Sequence, residues 1–124
     1  MSHSTHTYND DDRNQGILIN IDGELFPRHE AKVSVFDSAF MLGDGVWEGL
    51  RVHHGKVAFL QTHLDRLYAG AKSLDFHPGL TQEELTQRIY QTLEGNNMSE
   101  GVHLRLMVSR GTKSTPYQDP RETI

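Results

Sequence analysis

Two stretches of alternating apolar and polar residues carry side chains that could bind an anionic ligand. They are Trp47, Arg51 and His53 within residues 45–53, and His103 and Arg105 within residues 102–108. Successive side chains of a β-strand point to opposite sides, so each set lies on one face. A guanidinium fits a carboxylate or a phosphate through paired hydrogen bonds. These faces therefore form either the floor of a binding cleft or the solvent-facing side of an antiparallel sheet.

Arg66 also has two interpretations. It lies one turn into a predicted helix, beside Asp65, where it forms either a surface ion pair or a ligand contact. The Gly-Asp-Gly at residues 43–45 matches neither a P-loop nor a dinucleotide fingerprint, so it predicts no nucleotide site. The spacing of the residues alone identifies no catalytic group.

Composition excludes several classes of protein and site. The chain has no cysteine, which excludes disulfides and zinc–thiolate sites. Its net charge of -5, with scattered lysines and arginines, argues against nucleic acid as a partner. We find no apolar run of membrane-spanning length and no signal-peptide core, so we expect a cytoplasmic protein without a membrane partner. The adjacent His53 and His54 should diverge on a strand, and we predict no metal site.

The 124 residues suffice for one domain. Residues 1–15 are almost wholly polar and aperiodic, which predicts a flexible leader. Residues 16–111 carry the periodic segments and predict a small folded domain. Residues 112–124 are rich in turn-forming residues and predict the start of an interdomain linker or an exposed loop.

Five strands are predicted from alternating or β-rich runs bounded by turn residues. They cover residues 17–21, 24–26, 45–53, 56–60 and 102–108. Asp22-Gly23 joins the first two as a hairpin, and His54-Gly55 turns the third into the fourth. Residues 33–36 predict either a further short strand or an extended connection.

Two helices are predicted between the fourth and fifth strands. The first has Thr62 as its N-cap and ends near Phe76. The second begins with a capping box formed by Thr81 and Glu84 and stops at Gly95. This order of elements predicts an α+β fold, an antiparallel sheet with two helices on one face.

Three motifs within these elements resemble those of the class IV (fold type IV) aminotransferases, which use pyridoxal 5′-phosphate. They are D-S-A-F-M-L-G-D-G-V-W-E-G-L-R at residues 37–51, H-L-D-R-L at 63–67 and H-L-R-L-M-V-S-R-G at 103–111. The resemblance covers nearly all of residues 17–111. It implies the small N-terminal domain of the fold shared by D-amino-acid and branched-chain aminotransferases, and assembly as a homodimer.

The resemblance implies a cofactor contact and a substrate pocket. Arg66 matches the arginine of the family's H-x-x-R-L motif and would bind the 5′-phosphate of the cofactor. Trp47 would line the pocket for the substrate side chain, where relatives usually carry phenylalanine or tyrosine. Leu42 stands where branched-chain enzymes often have tyrosine, which removes one hydroxyl from that pocket.

The remaining implied contacts favour the branched-chain branch of the family. Arg51 matches the arginine that ends the G-[IL]-R motif of branched-chain enzymes. His103 and Arg105 match a Tyr-x-Arg pair that helps to hold substrate carboxylates, with histidine replacing the tyrosine. The loop after Gly111 lacks the Arg-x-His pair that D-amino-acid aminotransferases use for this purpose.

Family chemistry requires a lysine that forms a Schiff base with the cofactor and moves the substrate proton. None of Lys32, Lys56, Lys72 and Lys113 matches its context. We therefore expect a fragment, inactive alone, whose parent enzyme carries that lysine in a C-terminal domain absent here.

The function implied for the parent is transfer of an amino group from a branched-chain or other apolar amino acid to 2-oxoglutarate. Within the same family, the substrate could instead be a D-amino acid, an (R)-amine or, for a lyase, aminodeoxychorismate. The alternative of another class is a non-catalytic domain kept for binding or assembly.

Overall fold

A computed structural model of the protein describes residues 11–114. Within the predicted leader, a 3-10 helix covers Asp12–Gly16, and Nη1 of Arg13 donates to the carbonyl of Glu100 at 2.8 Å. Residues 1–10 of that leader and residues 115–124 of the predicted linker lie outside the described part of the chain.

The first hairpin forms a sheet of its own. Strands β1 (Leu18–Ile21) and β2 (Glu24–Pro27) pair antiparallel, as the Asp22-Gly23 signal predicted. Both turn residues take positive φ, 54° and 91°, as a tight hairpin turn of this hand requires. The hairpin is fastened to the second long helix, where Nδ2 of Asn20 donates to Oγ1 of Thr92 at 3.0 Å.

The larger sheet has three strands. After a short helix α1 (Ser38–Leu42), strand β3 (Gly45–His53) pairs with β4 (Lys56–Val57) on one side and β5 (Val102–Ser109) on the other. All these pairings are antiparallel. The predicted alternation is confirmed for β3, because Glu48, Leu50 and Val52 are buried while Trp47 and Arg51 are exposed.

Two long helices cover the inner face of this sheet. They are α2 (Leu60–Ser73) and α3 (Gln82–Gly95). The core between sheet and helices consists of Leu50, Val52, Val57, Leu64, Leu67, Leu85, Ile89 and Leu93. The predicted α+β class, with an antiparallel sheet and two helices on one face, is thereby confirmed, although the strands divide into two sheets.

The predicted start of α3 is also confirmed. Oγ1 of Thr81 accepts from the backbone N–H of Glu84 at 3.1 Å, and Oε1 of Glu84 accepts from the backbone N–H of Thr81 at 2.9 Å. Both halves of the capping box are therefore formed.

The predicted bounds of α2 were wrong at both ends. Thr62 is not its N-cap, because the chain turns at Phe59, whose φ is 54°, and the helix begins at Leu60. The preceding strand accordingly covers Lys56–Val57 and not residues 56–60. At the other end, α2 stops at Ser73 and not near Phe76.

Residues 33–36 form an extended connection and a turn, the second of the two predicted alternatives. Helix α1, which follows, was not predicted. This region exposes four large apolar side chains, which we call the apolar segment: Val33 (63%), Val35 (64%), Phe36 (45%) and Phe40 (70%). Among the helices of residues 11–114, none combines the length and apolarity needed to cross a bilayer.

Candidate functional site

The outer face of the larger sheet brings four predicted substrate contacts together. Strands β3 and β5 are in register with Arg51 opposite His103 and Gly49 opposite Arg105. The guanidinium carbon of Arg105 lies 4.4 Å from the ring centroid of Trp47, a cation–π distance. The guanidinium of Arg105 therefore lies beside an exposed indole, on the face that also carries Arg51 and His103.

Gly49 gives the imidazole of His103 its place on this surface. A Cβ atom at position 49 would lie 3.0 Å from Cε1 of His103 and 3.9 Å from the ring of Trp47. The ring of His103 therefore lies over the strand at a position that has no side chain. A larger residue at position 49 would displace this imidazole.

Leu42 is placed by helix α1, of which it is the last residue. The helix is capped by Asp37, whose side chain accepts from the backbone N–H of Ala39 at 2.9 Å. It ends at Gly43 in the left-handed conformation, with φ 68°. Leu42 is partly buried and comes just before β3, so it lies close to Trp47 in the sequence. Within residues 11–114, the two side chains make no polar or ring contact.

Arg66 lies in a different environment, against the buried carboxylate of Glu48. Nε of Arg66 donates to Oε2 of Glu48 at 2.9 Å, and Nη2 donates to Oε1 at 2.6 Å. Nδ1 of His63 lies 2.6 Å from the same Oε1. The side chain of Glu48 is only 7% exposed, whereas that of Arg66 is 68% exposed. A buried anion thus holds one edge of an exposed guanidinium.

The ionisation of this cluster follows from its hydrogen bonds. The bonds from Arg66 lower the pKa of Glu48 below its ordinary value, and the contact with His63 acts in the same direction. Burial opposes this by raising the pKa of Glu48, but its effect is smaller than that of Arg66. The carboxylate in turn raises the pKa of Arg66, so both partners stay charged at neutral pH.

The structure does not place Arg66 on the face that carries Trp47, Arg51, His103 and Arg105. Arg66 contacts Glu48, which belongs to the inner face of β3, while the other four lie on the outer face. Strand β4 pairs only with Val52 and His53, so within residues 11–114 the earlier part of β3 has a strand partner on one side alone.

The third motif, residues 103–111, binds the end of β5 to the first motif, residues 37–51. Oγ of Ser109 donates to Oδ1 of Asp37 at 2.6 Å, and Nε of Arg110 donates to Oδ2 of Asp44 at 2.5 Å. Nη1 of Arg110 also donates to the carbonyl of Asp75 at 3.1 Å. These contacts hold α1 and the start of β3 in place, and with them Leu42 and Trp47.

Glu48 and His63 were not predicted as site residues. Each belongs to one of the three motifs, but only the fold shows that they meet. The sequence did carry one signal for Glu48, because it is the single carboxylate in the otherwise apolar row of Val46, Leu50 and Val52. A buried charge needs a charged partner, so this row predicts a cation opposite it.

The exposed edge of Arg66 is open to an anionic ligand such as a phosphate. Its Nη1 donates no hydrogen bond to any residue between 11 and 114, and most of the side chain is open to solvent. A guanidinium fixed on one edge and free on the other can offer donors to phosphate oxygens without first being ordered.

Comparison with known proteins gives a consistent result. A family model described as amino-transferase class IV matches residues 45–124. Branched-chain-amino-acid aminotransferase-like protein 2 of Arabidopsis thaliana is 47% identical over 107 residues, which are 86% of this chain and 19% of that protein. D-alanine aminotransferase of Listeria monocytogenes is 33% identical over 108 residues, 87% of this chain and 35% of that one.

Among solved structures, the fold matches the branched-chain aminotransferase of the thermophilic archaeon Thermoproteus uzoniensis, crystallised with norvaline. The TM-score is 0.69 at 30% identity, covering 84% of this chain and 35% of that one. The chain thus spans about a fifth to a third of the length of the curated relatives and of this structure.

Proposed function

Because this chain belongs to the class IV aminotransferase family, we propose that it forms the small domain of a pyridoxal-phosphate transaminase. Its substrates would be a branched-chain or other apolar amino acid and 2-oxoglutarate. The observation that carries this proposal is the contact of Arg66 with buried Glu48. It joins two motifs into one anion-binding group whose free edge faces solvent.

Arg66 would hold the 5′-phosphate of the cofactor through its free edge. When bound, pyridoxal phosphate supplies an electron sink that stabilises negative charge on the substrate Cα. Glu48 would keep the guanidinium oriented, because its two bonds occupy Nε and Nη2. We place the cofactor near the open edge of β3, where a ligand can reach Arg66 from one side and the outer face from the other.

The outer face would hold the substrate. Arg51 and Arg105 would bind carboxylate groups, and 2-oxoglutarate has two of these to satisfy. Trp47 and Leu42 would form the apolar side of the pocket, which suits an aliphatic side chain. His103, lying over Gly49, would limit how far that side chain extends along the strand.

We propose that the lysine required for proton transfer, and the group that pairs with the pyridine nitrogen, belong to a larger domain. The relatives matched here are about three to five times as long as the aligned region. The small domain would then contribute binding and orientation, and the larger domain the chemical step.

Cofactor binding can be tested on the chain itself with pyridoxamine 5′-phosphate, which has no aldehyde to react with surface lysines. Trp47 is the only tryptophan, so quenching of its fluorescence reports binding. We expect pyridoxamine 5′-phosphate to bind at least tenfold more tightly than pyridoxamine, because only the former reaches Arg66 with a phosphate.

Arg66→Ala should remove the difference in affinity between pyridoxamine 5′-phosphate and pyridoxamine. Arg28→Ala changes an exposed arginine outside α2 and should preserve that difference. Equal binding of the two ligands to the unmodified chain, or no saturable binding of either, would contradict the role given to Arg66.

Substrate choice requires the complete enzyme, assayed with leucine and valine against 2-oxoglutarate. The second candidate is a D-amino-acid or (R)-amine transaminase, or an aminodeoxychorismate lyase, and two observations favour it. Trp47 and Leu42 alter the expected pocket, and a D-alanine aminotransferase is among the similar proteins. Turnover of D-alanine or a chiral amine without turnover of leucine would decide for the second candidate.

A further inference from the structure

We propose that His53, His54 and Glu100 form a binding site for Zn²⁺ at the turn between β3 and β4. One ligand atom from each residue, an imidazole nitrogen or a carboxylate oxygen, lies within 4.8 Å of the other two. Among residues 11–114, this is the one group of three or more histidine, aspartate or glutamate residues with such an arrangement.

The two histidines converge because only one of them belongs to a strand. His53 is the last residue of β3, whereas His54 takes φ 51° and begins the turn with Gly55. Their ring centroids lie 3.9 Å apart with the planes inclined by 52°. The prediction of no metal site assumed that neighbouring side chains diverge along a strand, and this assumption is wrong for His54.

Glu100 is held in position by its backbone and by its carboxylate. Its Oε2 accepts from the backbone N–H of His54 at 2.7 Å, and its carbonyl accepts from Nη1 of Arg13 at 2.8 Å. The second residue of the His54-Gly55 turn is bonded to the same segment, since the N–H of Gly55 donates to the carbonyl of Ser99 at 2.7 Å. The three ligands therefore come from two segments that are already fixed to each other, which lowers the entropy lost on binding.

The ligand atoms and their separations suit zinc. Imidazole nitrogen and carboxylate oxygen both bind Zn²⁺, and neighbouring ligand atoms of a tetrahedral site are about 3.4 Å apart. Here Nδ1 of His53 lies 2.6 Å from Oε1 of Glu100, and Nδ1 of His54 lies 3.2 Å from Oε2. A shift of under about 1 Å would increase the distance between Nδ1 of His53 and Oε1 of Glu100 to the spacing of a tetrahedral site. The side chain of His53 is 66% exposed, so its imidazole can make this shift while Glu100 keeps its bond to the N–H of His54.

Three protein ligands leave the fourth position of a tetrahedral site to water. Such a site would stabilise the β3–β4 turn against the loop before β5, at the far end of β3 from Trp47.

The experiment is calorimetric titration with ZnCl₂ of the full chain carrying His3→Ala and His6→Ala, which removes two histidines outside the described residues. In this background we compare the double variant His53→Ala/His54→Asn, the variant Glu100→Gln and the matched control His29→Ala. Asparagine tolerates the positive φ of position 54. Glutamine keeps an acceptor for the backbone N–H of His54. Circular dichroism checks that each variant is folded.

We expect one zinc ion per chain, at least tenfold weaker binding in the double variant and in Glu100→Gln, and no change in His29→Ala. Zinc should also shift the Nδ1 resonances of His53 and His54 in nitrogen-correlated NMR spectra. Equal affinity in all variants, or shifts centred on other histidines, would show that the three side chains form only an ordinary hydrogen-bonded cluster.

Discussion

Glu48 keeps its negative charge inside the protein because two side chains of α2 contact it. Arg66 provides two donors and His63 a third contact, so the carboxylate oxygens are compensated although the side chain of Glu48 is only 7% exposed. The same bonds fix the orientation of an otherwise exposed arginine. Position 48 therefore links the stability of the domain to the geometry of the proposed phosphate contact.

This linkage predicts a pH dependence of stability. The pKa of Glu48 is lower in the folded protein than in the unfolded chain, so its contribution is complete above about pH 4.5. As the pH falls through the folded pKa, the contribution is lost. Glu48→Gln should lower the free energy of unfolding at pH 7 by about 2 kcal/mol, and the gap to the unmodified protein should narrow below about pH 4.

Urea unfolding followed by circular dichroism at several pH values measures the difference in the free energy of unfolding between Glu48→Gln and the unmodified protein. Glu24→Gln, which removes an exposed carboxyl on β2, serves as the control and should give curves parallel to the unmodified protein. The assignment is wrong if Glu48→Gln also stays parallel to the unmodified protein from pH 7 to pH 3.

The individual residues of the site were predictable to different degrees. Alternation was sufficient to put Arg51 with Trp47 on one face of β3, and Arg105 with His103 on one face of β5, because strand geometry fixes side-chain direction. That the two sets share one surface depends on the pairing of β3 with β5. The partner of Arg66 was not predictable from its helix, where the neighbouring Asp65 was the nearest anion in sequence. Which carboxylate it meets depends on how α2 lies across β3, and this is a non-local property of the fold.

At the scale of elements, two threonines provide a matched test of where helices begin. Thr81 caps α3 and takes part in a formed capping box, so Thr81→Ala should destabilise the protein by about 1 kcal/mol. Thr62, the predicted cap of α2, lies inside that helix and is exposed. Thr62→Ala should therefore change the free energy of unfolding by less than about 0.5 kcal/mol.

Both variants can be compared in one set of urea unfolding curves. An equal loss of unfolding free energy in Thr81→Ala and Thr62→Ala would mean that Thr62 does cap α2 in solution. The turn at Phe59 would then not form.

The two threonines also show why some elements were predictable and others were not. The capping box of α3 is a local signal, and its prediction was correct. The start of α2 depends on Phe59, whose φ is positive. Few phenylalanines adopt a positive φ, and no local sequence pattern indicates that this one does. The division of the strands into two sheets was likewise hidden, because β1 packs against α3 through contacts distant in sequence.

At the scale of the whole molecule, the apolar segment predicts self-association. Four large apolar side chains lie together in sequence and are exposed, which is unusual for a surface that faces only water. Burying one phenylalanine is worth about 1.5–3 kcal/mol, so Phe40→Ser should weaken association by at least about tenfold.

Sedimentation velocity over a range of protein concentrations measures this association. Met107→Ser is the control, since Met107 is 57% exposed but belongs to the outer face of the sheet. A chain that remains monomeric at every concentration, or one that responds equally to both substitutions, would exclude the apolar segment as the contact surface.

The fastening of the chain after β5 has a mechanical consequence. Arg110 is bonded to Asp44 at the start of β3 and to the carbonyls of Leu74 and Asp75 beyond α2. The two following residues are tied as well, since the carbonyl of Gly111 accepts from the N–H of Ser38 and Thr112 bridges to Asp37. A pull applied at Ser114 therefore loads several bonds in parallel and does not peel β5 away one bond at a time. The part of the chain from Asp37 to Thr112 should therefore follow such a pull as one rigid unit.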